Sequence, residues 1–297
     1  MSIRRPVALL LLLVLLGTLA GCTVSGTVTE QSDERRTFEQ VGASPLIIVE
    51  TFNGRISVQA SSEGVVQSRV LRRGSGTSTA AAQKDLANVA VDVTRLGDTI
   101  TISARRVDNA QTIGNSGADV EVFAPPGSDV ELRTSNGRVE SANVEGSITV
   151  RTSNGPITTR GGRDLDLDTT NGQISVNNPE GRLRLRTSNG GIDILAAEQV
   201  IVSAQTSNDP ITFSGTLAPG AHSFATINGD IAISLPGDSA FGYDGQTSNG
   251  SVRTEFSELE ALTDTSISGH TGKDPMPAVT IIARTSNGDL AVLTQRP

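Results

Sequence analysis

A four-residue motif, Thr-Ser-Asn-Gly, returns along this chain at near-constant spacing, and a regular internal repeat constrains a fold more than local propensity does. The motif or a close variant centres on Asn136, Asn154, Asn171, Asn189, Asn208, Asn228, Asn249 and Asn287, with an early outlier at Asn53. From Asn136 onward the steps are 18, 17, 18, 19, 20, 21 and 38 residues, and the last step reads as two units of 19. Substitutions are few: Asp209 replaces the glycine of one copy, and Ile227 and Thr170 replace the serine of two others.

The flanks repeat as well. Two residues past each glycine stands an aliphatic side chain, from Ile56 and Val139 through Ile157, Ile174, Ile192, Ile211 and Ile231 to Val252 and Leu290. Before the turn, apolar residues alternate with polar ones: Val130 and Leu132 around Glu131, Ile148 and Val150 around Thr149, Leu165 and Leu167 around Asp166, Leu183 and Leu185 around Arg184. Period two marks strands with one buried face. Each unit also carries a second turn near its middle, as at Asn143-Val144-Glu145-Gly146, Gly161-Gly162-Arg163-Asp164 and Asn178-Pro179-Glu180-Gly181. Asn and Gly suit such corners because they tolerate positive φ.

Two all-β architectures accommodate this unit. A β-solenoid makes each unit one coil, stacked in parallel on the next at ~4.8 Å. An antiparallel meander uses Asn-Gly as a type I′ hairpin turn. The matched flanks favour the solenoid, a right-handed parallel β-helix with coils of about 18–20 residues and Thr-Ser-Asn-Gly corners, because equivalent residues then stack directly and each coil meets the same requirement. Stacked asparagines at one corner are expected to form a hydrogen-bonded ladder.

Residues 37–297 are read as the solenoid domain, with regular repeats over 131–297 and irregular coils over 37–130. Strands are expected at Leu46 to Glu50, Arg55 to Ala60, Val65 to Arg72, Val89 to Thr94, Thr99 to Ala104 and Val120 to Phe123. Thr79 to Ala87 reads as a short helix placed to cap an open end, which otherwise exposes unpaired strand edges. Phe256 to Pro277 reads as a loop or distorted coil.

The N-terminus has the order of an export signal. Arg4 and Arg5 precede an unbroken apolar run from Val7 to Leu16, too short for a span of ~20 residues. Leu19-Ala20-Gly21-Cys22 then resembles a bacterial lipobox, and Cys22 is the only cysteine. The expectation is a signal peptide over 1–21, lipidation of Cys22, and a flexible tether over 22–36. Two or more acyl chains give stable membrane anchoring. Thr23, in place of aspartate, points to the outer membrane if the source has two membranes, and otherwise to the cell membrane.

Composition excludes some partners. The formal net charge is −8, and −10 once Arg4 and Arg5 leave with the signal, which argues against nucleic acid, where affinity comes from neutralising phosphates. With no Trp, one Tyr and seven Phe, aromatic platforms for stacking sugars or bases are scarce. No cofactor-binding or metal-ligating spacing is evident: His222 and His270 are far apart, and no nucleophile elbow or phosphate-cradling loop occurs.

In its repeated Thr-Ser-Asn-Gly followed by x-Ile, its Ala124-Pro125-Pro126-Gly127 step and its early Thr51-Phe52-Asn53-Gly54-Arg55-Ile56 segment, the chain resembles the bacterial putative-adhesin β-strand-repeat family. That family is a domain of unknown function similar to head-GIN putative autotransporter-adhesin domains, and the resemblance covers roughly residues 38 to 295. It implies a right-handed β-helix-like fold in the cell envelope and no established activity.

Among outward positions, Arg133, Arg151, Asp168 and Arg186 are expected to stack in one column, with Arg284 farther along. Such a column could grip an anionic ligand bidentately, or be a solvated face neutralised by Glu131, Asp166 and Asp168. Asp166 and Asp168 share a strand face about 7 Å apart, a separation that paired carboxylates of a glycosidase or a calcium site could use. The reading is a non-enzymatic, lipid-anchored envelope protein whose solenoid surface binds a glycan, peptidoglycan or a surface protein. A polysaccharide-acting enzyme and a structural or envelope-stress signalling role stand as alternatives.

Overall fold

The structure is a computed structural model that describes residues 27–107, 115–273 and 277–295. The expected signal peptide and Cys22 lie outside the described residues. The first half runs β1 (Val28–Phe38), β2 (Leu46–Asn53), β3 (Ile56–Ala60), β4 (Val66–Gly76), α1 (Thr79–Ala87), β5 (Val89–Leu96), β6 (Thr99–Arg106), β7 (Gly117–Ala124), β8 (Asp129–Asn136), β9 (Val139–Asn154) and β10 (Ile157–Asn171). The second runs β11 (Ile174–Asn177), β12 (Glu180–Arg186), β13 (Ile192–Gln205), β14 (Ile211–Leu217), β15 (Gly220–Ala225), β16 (Ile231–Leu235), β17 (Gly242–Gln246), β18 (Val252–Thr254), β19 (Leu259–Thr263), β20 (Ser266–His270), β21 (Val279–Arg284) and β22 (Leu290–Thr294).

The strands form two parallel ladders around one core, and each coil contributes a rung to both. The ladder that follows the asparagine corner is ordered β7–β3–β9–β10–β11–β13–β14–β16–β22–β18. The ladder that precedes it is ordered β6–β2–β8–β9–β10–β12–β13–β15–β21–β17. Strands β9, β10 and β13 run through the mid-coil turn and serve both ladders. The chain is thus a β-solenoid, and the meander is excluded.

Registers follow the repeat residue for residue. Val139, Ile157, Ile174, Ile192, Ile211 and Ile231 lie in one column of directly paired, buried side chains. Leu132, Val150, Leu167 and Leu185 do the same in the other ladder. Burying each such side chain contributes about 1.5–3 kcal/mol, so the period-two pattern is the main source of stability.

The corner shows why its residue types recur. From Asn154 onward the corner Asn donates from Nδ2 to Oδ1 of the coil stacked before it: Asn154 to Asn136 at 2.8 Å, Asn171 to Asn154 at 2.8 Å, Asn189 to Asn171 at 2.8 Å, and Asn208 to Asn189 at 2.7 Å. Only a side chain carrying both a donor and an acceptor extends such a ladder from coil to coil. The corner Thr is buried, and in most coils its hydroxyl donates to the backbone carbonyl at the glycine position of the neighbouring coil, as from Thr187 to Gly172 at 3.0 Å and from Thr206 to Gly190 at 2.9 Å; Thr51 donates to the Ala118 carbonyl instead, and the Thr152 hydroxyl has no partner among the described residues. Glycine follows from close approach more than from φ. A Cβ on Gly172 would lie 2.0 Å from the Gly155 carbonyl, and one on Gly288 would lie 2.1 Å from that of Gly229. Of the corner glycines only Gly137 and Gly155 have positive φ. Three of the four left-handed non-glycine residues sit instead at the mid-coil turns, Asn143 (58°), Asp164 (54°) and Asn178 (49°), and the fourth, Gln40 (54°), lies between β1 and β2.

Sequence order and stacking order part at both ends. Asn53 pairs with Asn136, and β2–β3 is flanked on its far side by β6 and β7, which come later in the chain. The first coil is therefore internal, and the end coil comes from the stretch after it. At the other end, the coil of Asn287 does not lie beyond that of Asn249. Asn287 donates to Asn228 at 2.7 Å, and Asn249 donates to Asn287 at 2.8 Å. The 38-residue step is thus not two sequential units: β21–β22 inserts between β15–β16 and β17–β18.

Antiparallel additions close the ends. β4 pairs with β7 and β1 with β4, while β5 pairs with β6. Residues 28–36, expected to belong to a flexible tether over 22–36, instead form part of β1; its charged, alternating sequence suits an edge strand, where one face meets water. Helix α1 forms over the expected residues and crosses from β4 to β5. Gly74 and Gly76 let it approach: Cβ atoms there would lie 2.2 Å from Leu86 N and 2.6 Å from Ala82 N. Its Asp85 accepts from the Ser75 amide at 2.8 Å and the Ser116 hydroxyl and faces Arg106 at 3.0 Å. Burial raises the Asp85 pKa, but these partners outweigh it and hold the carboxyl below its usual range. At the opposite end β20 pairs antiparallel with β17 and β19, so the stretch after Phe256, expected to be a loop or distorted coil, contains a hairpin. Phe241 and Phe256 meet edge-to-face at 5.1 Å and fill that end of the core.

Candidate binding face

Because inward and outward side chains alternate, the ladder preceding the corner turns a second set of columns to solvent. One runs through Glu50, Arg133, Arg151, Asp168, Arg186, Gln205, Ala225, Arg284 and Gln246. Arg133, Arg151 and Arg186 therefore share a column. Arg133 and Arg151 are adjacent, whereas Asp168 separates Arg151 from Arg186.

The arginines differ in their surroundings. Arg133 reaches Glu50 at 3.4 Å and Glu131 at 3.8 Å. Arg151 grips Asp166 twice, with Nη2 at 2.5 Å from the carboxylate and Nη1 at 2.8 Å from the backbone carbonyl. Arg284 repeats that clamp on Asp244, at 2.6 Å and 2.7 Å. Arg186 is exposed, as are Arg182 and Arg184 on the same strand. Beside Arg133 and Arg151 lies an open groove of about 540 Å³, lined among others by Glu50, Arg105, Ser135 and Ser153. Glu50 and Arg105 could not be placed there from spacing alone, since that requires knowing that β6 and β2 stack beside β8.

The carboxylates Asp166 and Asp168 stay on one strand face, but Asp166 is committed to Arg151. His222 occupies an inward slot. Its Nδ1 accepts from the Val202 amide at 3.2 Å, and its Nε2 pairs with the Ala218 carbonyl at 2.9 Å. Burial pushes its pKa down, against a smaller opposing effect of the Ala218 carbonyl. It is a core residue replacing one ladder contact. Among the described residues, no group of three or more His, Cys, Asp or Glu side chains is placed to hold a metal ion, and no helix is long and apolar enough to cross a membrane.

Solved structures of similar shape include a putative adhesin from Parabacteroides merdae ATCC 43184, 14% identical, with a TM-score of 0.48 over 90% of this chain and 96% of that one. A putative adhesin from Bacteroides fragilis NCTC 9343 is 10% identical, with a TM-score of 0.42 over 91% and 98%. A putative lipid binding protein from Parabacteroides distasonis ATCC 8503 is 10% identical, with a TM-score of 0.27 over 89% and 97%. No curated protein matches the chain. The model of the Toastrack DUF4097 family matches residues 46–293, from the first strand of the internal coil β2–β3 to the last strand β22, and the chain belongs to that family.

Proposed function

We propose that the protein is a non-enzymatic, lipid-anchored component of the cell envelope that presents its solenoid surface for adhesion or partner binding. The observation that carries this reading is the corner ladder. It fixes coil after coil in register, so outward side chains recur at about 4.8 Å along a stiff face. Such a face suits an extended, repeating ligand such as a glycan, peptidoglycan or an elongated surface protein. Arg133, Arg151 and Arg186 are the side chains offered to its anionic groups. The anchor rests on the order of Arg4 and Arg5, the apolar run and Leu19-Ala20-Gly21-Cys22.

Two experiments test the two halves. Metabolic labelling with a fatty-acid analogue should tag the wild type and not Cys22→Ser, which should also leave the membrane fraction; a labelled Cys22→Ser protein contradicts the anchor. Immobilised protein should retain acidic glycans or sacculi in a salt-sensitive way, and the triple substitution of Arg133, Arg151 and Arg186 by Gln should weaken retention. A glycan array and sacculus pull-down that stay blank across salt concentrations contradict the binding role.

A further inference from the structure

Near the C-terminus the coils stack out of sequence order, and successive seats repeat one another. The coil of Asn228 presents a Gly229 carbonyl, an Asn228 Oδ1 and the apolar edge of Ile231 and Ile233. The inserted coil uses all of them: Thr285 donates to Gly229 at 2.9 Å, Asn287 to Asn228 at 2.7 Å, and Leu290 and Val292 pair with Ile231 and Ile233. The inserted coil then presents the same set to β17–β18. Thr247 donates to the Gly288 carbonyl at 2.8 Å, Asn249 to Asn287 at 2.8 Å, and Val252 and Thr254 pair with Leu290 and Val292. The glycines match too: Cβ atoms on Gly288 and Gly250 would each lie 2.1 Å from the carbonyl below.

We propose that the end unit β17–β20 is a movable cap with two seats. It rests on the Asn287 coil when β21–β22 is in place, and directly on the Asn228 coil when that segment is absent. Both seats supply the same corner hydrogen-bond partners in the same register: Ala225, Arg284 and Gln246 lie in one column, as do Ile231, Leu290 and Val252. The seats differ in what the intervening coil buries, chiefly Ile281, Ala283, Leu290 and Val292, and in the Arg284 clamp on Asp244, which Ala225 at the same place in the Asn228 coil cannot supply. Insertion is therefore favoured once the segment exists. Until then the cap closes the apolar edge of Ile231 and Ile233. A chain made from its N-terminus completes β17–β20 before β21–β22, so the cap protects the growing stack and then yields its seat to the last coil.

Disulfide trapping separates the seats. Ile227 and Ser286 are on adjacent coils, since the Ser286 amide donates to the Ile227 carbonyl at 3.2 Å. Ile227 and Ser248 are two coils apart, about 9.6 Å, beyond the ~7 Å Cα separation that a disulfide spans. In a Cys22→Ser background, Ile227→Cys with Ser286→Cys should cross-link in the full chain, and Ile227→Cys with Ser248→Cys should not. Removing residues 277–297 should raise cross-linking of the second pair at least tenfold, with the β circular dichroism of the remaining coils retained. In the full chain, Leu290→Asp with Val292→Asp should raise it in the same direction by expelling the coil. A truncated chain in which the second pair fails to close, whether the cap has unfolded or stays detached, overturns the two-seat proposal.

Discussion

Replacing Gly155 by Ala tests whether coil-to-coil contact at the corner is as tight as the ladder requires. The added Cβ would sit 2.1 Å from the Gly137 carbonyl oxygen, where real Cβ atoms keep at least about 3.0 Å. The two corners must therefore separate by close to 1 Å. Three hydrogen bonds span that gap: Gly137 N to the Asn154 carbonyl at 2.9 Å, Val139 N to the Pro156 carbonyl at 3.0 Å, and Asn154 Nδ2 to Asn136 Oδ1 at 2.8 Å. Each contributes about 0.5–1.5 kcal/mol net. Gly155 also has a φ of 153°, which an L-residue adopts only at a cost. The expected loss is roughly 2–4 kcal/mol. The assay is urea unfolding followed by circular dichroism, with the m-value checked so that a shifted midpoint reads as stability. Two controls bracket it. Gly64 has positive φ but nothing within 4 Å of an added Cβ, so Gly64→Ala should cost about 1 kcal/mol. Asp209 already carries a side chain at the glycine position, so Asp209→Ala should change stability by less than about 0.5 kcal/mol. A Gly155→Ala protein no less stable than Gly64→Ala would refute the close-approach argument.

Three further outcomes are expected. Among the described residues the buried Thr159 hydroxyl has no hydrogen-bond partner, so Thr159→Val should stabilise by about 1 kcal/mol in the same unfolding assay; a destabilised variant contradicts it. His222 has a pKa below 6.5 in the folded state, so between the folded and unfolded values the unfolded chain binds more protons. Its contribution is complete above about pH 6.5 and is lost as pH falls toward the folded value; His222→Leu should flatten the urea midpoint over that window, and an unchanged acid slope counts against the assignment. The Arg151–Asp166 pair is 40% and 34% exposed, so a double-mutant cycle should give under about 1 kcal/mol of coupling, shrinking with salt. Coupling well above that, or insensitive to salt, would show the clamp to be structural rather than a surface pair.

Much of the solenoid is written in its repeat. The aliphatic two past each glycine and the period-two flanks name the inward columns outright, and Thr79 to Ala87 reads as a helix from its alanine-rich run, which the structure starts at a Ser78 cap. Stacking order is another matter. A Thr-Ser-Asn-Gly corner fits any other such corner, so the repeat identifies coils without saying which one lies next to which. That is why the inserted β21–β22 and the internal β2–β3 could not be read from spacing. β1 escaped for a different reason: an edge strand at a solvated end needs few apolar residues, and Val28–Phe38 looks like a polar tether. At the candidate binding face the stacking of Arg133 on Arg151 was legible from coil length. Asp166 was legible as a neutralising carboxylate, but its pairing with Arg151 in particular was not, because that depends on a cross-coil register that shifts at the mid-coil turn of β10.

Single coils stacked in register, with the coil of Asn287 inside that of Asn249, fix a definite order of distances along the rod. Pulsed electron-spin distance measurement reads that order with one label held at position 135 and a second moved through 153, 188, 207, 286 and 248, in a Cys22→Ser background. Distances should climb by about 4.8 Å for each coil crossed, with the label at 248 farther away than the one at 286. Distances that do not rise along this series, or a label at 286 lying beyond that at 248, would contradict the stacking described.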